Sequence, residues 1–259
     1  APAGATTVAE AKLALGRDAS QRLNRRARAL GVSVASVLHL AWAVVLARVT
    51  GRRRVVFGTV LSRRTDVRGG SSRLGMFVNT LPLRLDVDDV PLSTAIRRAH
   101  AGLAELLRHE QASLALAQRC SGVSAIAPLF SSLFNFRASQ AALTVPGPVE
   151  GAAFEIVSFD EATHYPVCVE IDDVGGEYRL TAQVRGPIAP SRICAYLATA
   201  VTHLLHDLEQ GVDPPVRALE VLPGTEREQV VRGNKATAAG DPGGKCLQEL
   251  FEVEVEGRP

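Results

Sequence analysis

The spacing of apolar residues changes period several times along the chain, and each change marks an element. Residues 18–29, with Asp18 in a capping position and Gly31 after them, predict a first helix. The eleven residues before position 12 are rich in Ala, Thr and Gly and are expected to be loose. Val34, Val37, Leu38, Ala41, Val45, Leu46 and Val49 repeat every 3.6 residues between a capping Ser33 and a terminating Gly51. They cover most of the circumference, so this second helix is expected to be buried on nearly all sides. Strands are predicted over 55–61 and 77–87, separated by an Arg- and Gly-rich loop. Pro82 points to a sheet edge, a bulge or a strand end.

A long amphipathic helix over 92–111 and a short one over 113–120 follow. Strands are then predicted over 129–137, 154–159, 165–172 and 177–184, with a hairpin turn at Val174-Gly175-Gly176 joining the last two. Tyr178, Leu180, Ala182 and Val184 alternate and so share one buried face. Pro190 opens a final amphipathic helix running to Leu208. Beyond Gly211, prolines and glycines replace large apolar residues, which reads as a linker holding one short helix near 225–231. The expected organisation is a flexible segment 1–11, a domain 12–210 and a linker 211–259. The fold class is α/β, of the α+β two-layer kind, with a mixed sheet covered by helices mostly on one face.

Composition narrows the function only slightly. Hydrophobic residues make up 46% and charged residues 22% of 259, an ordinary globular balance. The net charge of +2 gives no reason to expect nucleic acid as a partner. No apolar run reaches the ~20 residues that cross a bilayer, so no membrane partner is expected. Cys120, Cys168, Cys194 and Cys246 have no metal-finger or CxxC spacing and read as reduced thiols in a cytoplasmic protein. The chain starts Ala1-Pro2-Ala3 with no signal-peptide pattern, which suggests a removed leader or a piece of a longer chain.

Generic catalytic motifs fail. No serine lies in GxSxG, and residues 240–246 miss the glycine and the Ser/Thr of a phosphate loop. His203 and His206 sit one helical turn apart without a third ligand in sight, so no metal site is predicted. His39, inside an apolar helix, reads as a satisfied core histidine. Arg52, Arg53, Arg54, Arg63, Arg64, Arg68 and Arg73 form a cluster opposed only by Asp66. It is either a solvated strand end in a chain with 26 arginines and 3 lysines, or a surface for phosphate or an acidic partner. Asn79 is polar among apolar neighbours, and either satisfies ladder groups broken by Pro82 or lines a site.

Several segments together resemble the condensation domains of nonribosomal peptide synthetases. Val55-Val56-Phe57-Gly58-Thr59-Val60-Leu61-Ser62-Arg63-Arg64 is similar to one core motif, and Gly75-Met76-Phe77-Val78-Asn79-Thr80-Leu81-Pro82-Leu83-Arg84 to the next. His109–Gln118, Pro128–Arg137 and Thr163-His164-Tyr165-Pro166-Val167 resemble the segments that follow in that family. Leu222–Arg227 and Cys246–Phe251 are similar to a linker entering an adenylation domain.

The family's HHxxxDG signature is not among these residues, and no histidine here has a histidine neighbour. The resemblance therefore implies the C-terminal, acceptor-side lobe of a condensation domain, chloramphenicol-acetyltransferase-like in fold and inactive alone. It implies a chain that begins after the half holding the catalytic histidine. Complete members join amino-acid thioesters carried on phosphopantetheine arms by carrier proteins, so no directly bound cofactor is expected. The implied partners are carrier proteins, the N-terminal lobe and an adenylation domain, with self-association of the isolated lobe as a further expectation.

For site residues the resemblance implies Asn79, Ser33 and His164 on the substrate tunnel and Arg63 and Arg64 against phosphopantetheine or carrier. It implies no catalytic residue, and a segment near 129–150 that reaches across to the other lobe. The alternative is a non-catalytic docking module for a carrier or neighbouring synthetase domain. A free-standing acetyltransferase-like trimer lacks its HxxxD histidine.

Overall fold

The computed structural model describes residues 8–62, 78–124, 126–138, 163–236 and 247–256. Six strands form one mixed sheet in the order β1-β6-β5-β4-β2-β3. They are β1 (Val8–Ala14), β2 (Arg54–Ser62), β3 (Val78–Asp86), β4 (Ser132–Arg137), β5 (Val167–Val174) and β6 (Glu177–Arg185). β2, β4 and β5 run parallel to one another, and the outer pairs β1–β6, β5–β6 and β2–β3 are antiparallel. Helices α1 (Arg17–Ala29), α2 (Val34–Thr50), α3 (Leu92–Arg108) and α5 (Pro190–Gln210) share one apolar core with Phe57, Leu83, Phe134, Ile171 and Leu180 of the strands. This is the expected mixed sheet with helices gathered on one face.

The strand β1 corrects the expected loose N-terminus. Val8, Ala11 and Leu13 are half-buried, and the strand pairs in register with β6 from Val8↔Arg185 to Ala14↔Arg179. Its alanines give too little hydrophobic contrast to show alternation in sequence. Helix α1 starts at Arg17 after Gly16 (φ 83°), and Asp18 lies inside its first turn, 3.2 Å from the Arg22 guanidinium. Ser33 does cap α2, its Oγ accepting from Ser36 N, and eleven residues of α2 are buried. Pro82 lies on β3, at the sheet edge, opposite Gly58. The β5–β6 hairpin turns on Gly175 and Gly176, both at positive φ, with Asp173 Oδ1 accepting from Gly176 N. The strand expected over 154–159 lies outside the described residues.

The segment after α5 differs from the expected linker. Val216, Leu219 and Val221 are buried in the core, and Val216 opens a short 3-10 turn. Pro214 O accepts from Leu92 N, Val216 N donates to Val90 O, and Asp213 receives both N–H and hydroxyl of Ser93 at the start of α3. The first compact unit accordingly runs through Leu222. A second unit, from Pro223 on, carries α6 (Gly224–Ala236) and α7 (Leu247–Glu256). No single helix among the described residues is long and apolar enough to cross a membrane.

Candidate functional site

The sheet face opposite the helices is divided. Towards β1 it is polar and largely buried. Strand registers place Asn135 beside Glu170, Arg137 beside Asp172 and Gln183 beside Glu10. The Arg137 guanidinium reaches Asp172 Oδ1 at 2.5 Å and Glu170 Oε2 at 3.0 Å, while Asn135 Nδ2 donates to Glu170 Oε1 at 3.3 Å. Gln183 Nε2 donates to Glu10 Oε2 at 3.0 Å, and this bond with that from Lys12 holds the Glu10 carboxyl below its ordinary pKa. The Asp172 and Glu170 side chains are only 6% and 10% exposed, so this is an interior charge cluster. The sequence reading missed it. Its signal was the alternation Val169-Glu170-Ile171-Asp172, in which one strand face is apolar and the other carboxylate.

Towards β3 the same face carries Val56, Val60 and Pro82, with Arg54, Arg84 and Asp86 at its far end. The Phe130 ring occupies the place where a side chain at Gly58 would project, and it stacks on Tyr165 at 5.3 Å. His164, the residue before Tyr165, is exposed in the bend entering β5.

Asn79 lies on β3 and is half-buried. Its Nδ2 donates to Glu110 O at 2.6 Å and Ala112 O at 2.8 Å, and its Oδ1 accepts from Thr80 N at 2.9 Å. The Thr80 bond covers a backbone donor of the edge strand. The two donor bonds reach a connector more than thirty residues on, which spacing could not reveal.

Ser33 belongs to a relay at the start of α2. Its Oγ is 2.7 Å from Ser36 Oγ, which is 2.9 Å from His100 Nδ1 on α3. His39 is enclosed: Nδ1 donates to Ala35 O at 2.7 Å, Nε2 accepts from Thr59 Oγ1 at 2.6 Å, and the ring meets Phe134 edge-on at 4.4 Å. Burial lowers its pKa to about 4, so it is neutral, as a satisfied core histidine should be.

Three members of the arginine cluster are described. Arg52, Arg53 and Arg54 gather at the start of β2 against acids that the sequence reading did not count. Arg54 pairs with Asp86 at 3.4 Å, Arg53 with Asp89 at 3.7 Å, and Arg217 also pairs with Asp89. Arg63, Arg64, Arg68 and Arg73 follow the other end of β2 and lie outside the described residues. The structure thus brings none of Asn79, Ser33 and His164 into contact with one another. His203 and His206 are exposed on α5, and no group of three metal-ligating side chains occurs among the described residues.

The model of the condensation domain family matches residues 2–231. The chain belongs to the condensation domain family of nonribosomal peptide synthetases. Among relatives, it is 43% identical over 255 residues to malpinin synthetase of Mortierella alpina, covering 98% of this chain and 3% of that protein. It is 39% identical over 253 residues to malpibaldin synthetase of the same organism, covering 97% and 4%. The chain therefore spans a few per cent of the length of these relatives.

Solved condensation domains share its fold. That of the Monacolin K polyketide synthase MokA superposes with a TM-score of 0.63 at 20% identity, covering 82% of this chain and 51% of that one. The first condensation domain of the CDA synthetase gives 0.60 at 18% identity, covering 86% and 49%. The six-stranded sheet described above is thus a condensation-domain fold element.

Proposed function

We propose that this chain is the C-terminal, acceptor-side lobe of a condensation domain that forms an amide bond between carrier-bound thioesters. The observation that carries the proposal is the match to about half of two solved condensation domains, 51% and 49% of their chains. The absence of HHxxxDG from the 259 residues is consistent with that half.

On this reading the reaction draws its proton chemistry from the other lobe, and this lobe orients substrates. The acceptor amine attacks the donor thioester carbonyl, the carbon–sulfur bond breaks, and the amine proton leaves with the thiol. The phosphopantetheine arm arrives as part of each carrier-bound substrate. Of the three expected tunnel residues, exposed His164, which precedes Tyr165, is the one whose side chain is open to an arriving arm. The hydroxyl of Ser33 is engaged in the α2 cap, and the amide of Asn79 in the connector after α3. The segment 223–256 corresponds on this reading to the passage towards an adenylation domain.

The test is amide formation between two aminoacylated carrier proteins. The chain alone should give no product above background, and the chain joined to a lobe bearing HHxxxDG should give it. Product from the chain alone would overturn the division of labour. Carrier binding without product in the joined protein would favour the docking-module reading.

A further inference from the structure

Helix α4 (Leu114–Cys120) has no buried residue, although it lies against β3. A seven-residue helix is too short to persist by its own hydrogen bonds, and Leu114 and Ala117 are only partly buried. Side-chain bonds at its two ends add to its support. Ser113 Oγ accepts from Leu116 N and caps the first turn. Past the last turn, Gln118 Nε2 donates to Ser124 O at 3.0 Å and Ala127 O at 3.1 Å, gathering the loop that leads to β4. These bonds order the excursion internally. From the sheet, Asn79 donates to the connector before α4, at Glu110 O and Ala112 O.

We infer that Asn79 is a positioning residue, clamping the connector between α3 and α4 to the sheet edge and so setting how α4 lies on it. The amide orientation is unambiguous. A flipped side chain would turn its oxygen towards two carbonyl oxygens and its NH2 towards the Thr80 N–H. Both N–H groups are therefore spent on the connector, leaving no donor for a substrate. The excursion carries Leu116, Val123 and Ile126, exposed by 42%, 44% and 95%. A short helix with no fully buried side chain opens locally well before the core does. For catalysis the inference rests on the amide-forming reading: an excursion that presents surface, and no reacting group, governs how a carrier-bound substrate is held.

Hydrogen exchange on the 259-residue chain tests the clamp directly. Asn79→Ala and Asn79→Asp both remove the paired donors, and Asn79→Asp keeps the acceptor for Thr80 N. In both, amides of 114–120 should exchange at least tenfold faster, with those of α2 and β6 unchanged. Unchanged exchange at 114–120, or equal acceleration in α2 and β6, overturns the inference.

In the joined two-lobe protein, both variants should raise KM for a carrier-bound substrate at least fivefold and keep kcat within twofold. A fall in kcat with α4 exchange unchanged would instead make Asn79 a substrate-contacting residue. If the unmutated joined protein forms no amide, the functional reading fails while the exchange result still decides the clamp.

Discussion

His39 Nε2 and Thr59 Oγ1 lie 2.6 Å apart in the seam between α2 and β2, and the other ring nitrogen fixes the direction of that bond. The Ala35 carbonyl can only accept, so Nδ1 carries the proton and Nε2 accepts from the threonine hydroxyl. Burial lowers the His39 pKa from 6.5 to about 4. An unfolded chain takes up this proton near pH 6.5, and the folded chain only near pH 4. The stabilisation is complete above pH 6.5 and is lost as the pH falls through 4, a total of roughly 3 kcal/mol. His39→Phe keeps the aromatic packing and removes the titration. It should cost about 1–3 kcal/mol at neutral pH, because Thr59 loses its acceptor. Its stability should then fall less steeply than that of the unmutated chain between pH 7 and 4.5. Parallel pH profiles of denaturation midpoints would show that His39 is not the source of the acid sensitivity.

Gly58 is required by a neighbour, not by its own backbone. A methyl group there would overlap the Phe130 ring, which stacks on Tyr165 across the ends of β4 and β5. Gly58→Ala should destabilise by about 1–3 kcal/mol through overpacking. In a Phe130→Leu background the same substitution should cost less than half as much. A double-mutant cycle on denaturation free energies measures the coupling, and additive costs would refute the steric account.

The elements with strong period were legible in sequence, and those with weak contrast were not. Val34 to Val49 read as a buried helix, and Tyr178 to Val184 as a strand with one apolar face. Pro82 pointed to an edge, a bulge or a strand end because a central strand needs its N–H, and of these the structure shows the edge. Val8–Ala14 escaped notice because its alternation is written largely in alanine. Residues 212–222 read as linker because two prolines mask three buried side chains. Family membership was legible from motif order, which no single residue carries. The buried charge cluster and the Asn79 clamp depend on which strands lie side by side and where α3 ends. Spacing along the chain contains neither fact.

The cluster of Arg137 with Glu170 and Asp172 makes a prediction opposite to that for surface pairs. Arg137→Met leaves two carboxylates facing each other in the interior and should cost about 3–5 kcal/mol. Arg137→Lys keeps the charge but not the planar fork, and should cost less. By contrast Arg53→Ala, whose pair with Asp89 is exposed, should change stability by ~1 kcal/mol or less. Urea denaturation of the three variants orders them, and an Arg137→Met cost no greater than that of Arg53→Ala would show that the cluster is effectively solvated.

Where the first compact unit ends can be read from truncation. A chain ending at Leu222 keeps Val216, Leu219 and Val221 in the core, the Pro214–Leu92 and Val216–Val90 backbone bonds, and the Asp213 cap on Ser93. A chain ending at Gly211 loses all of these and opens the floor of α3. Each buried side chain removed costs about 2 kcal/mol or more, and a unit of this size loses roughly 2–4 °C per kcal/mol. The chain ending at Gly211 should therefore melt more than ~10 °C below the one ending at Leu222. Val216→Ala in the full chain should lower Tm by ~4–8 °C on the same scale, without the risk that a truncated chain fails to fold. Equal melting of the two truncated chains, with Val216→Ala silent, would return the boundary to the end of α5.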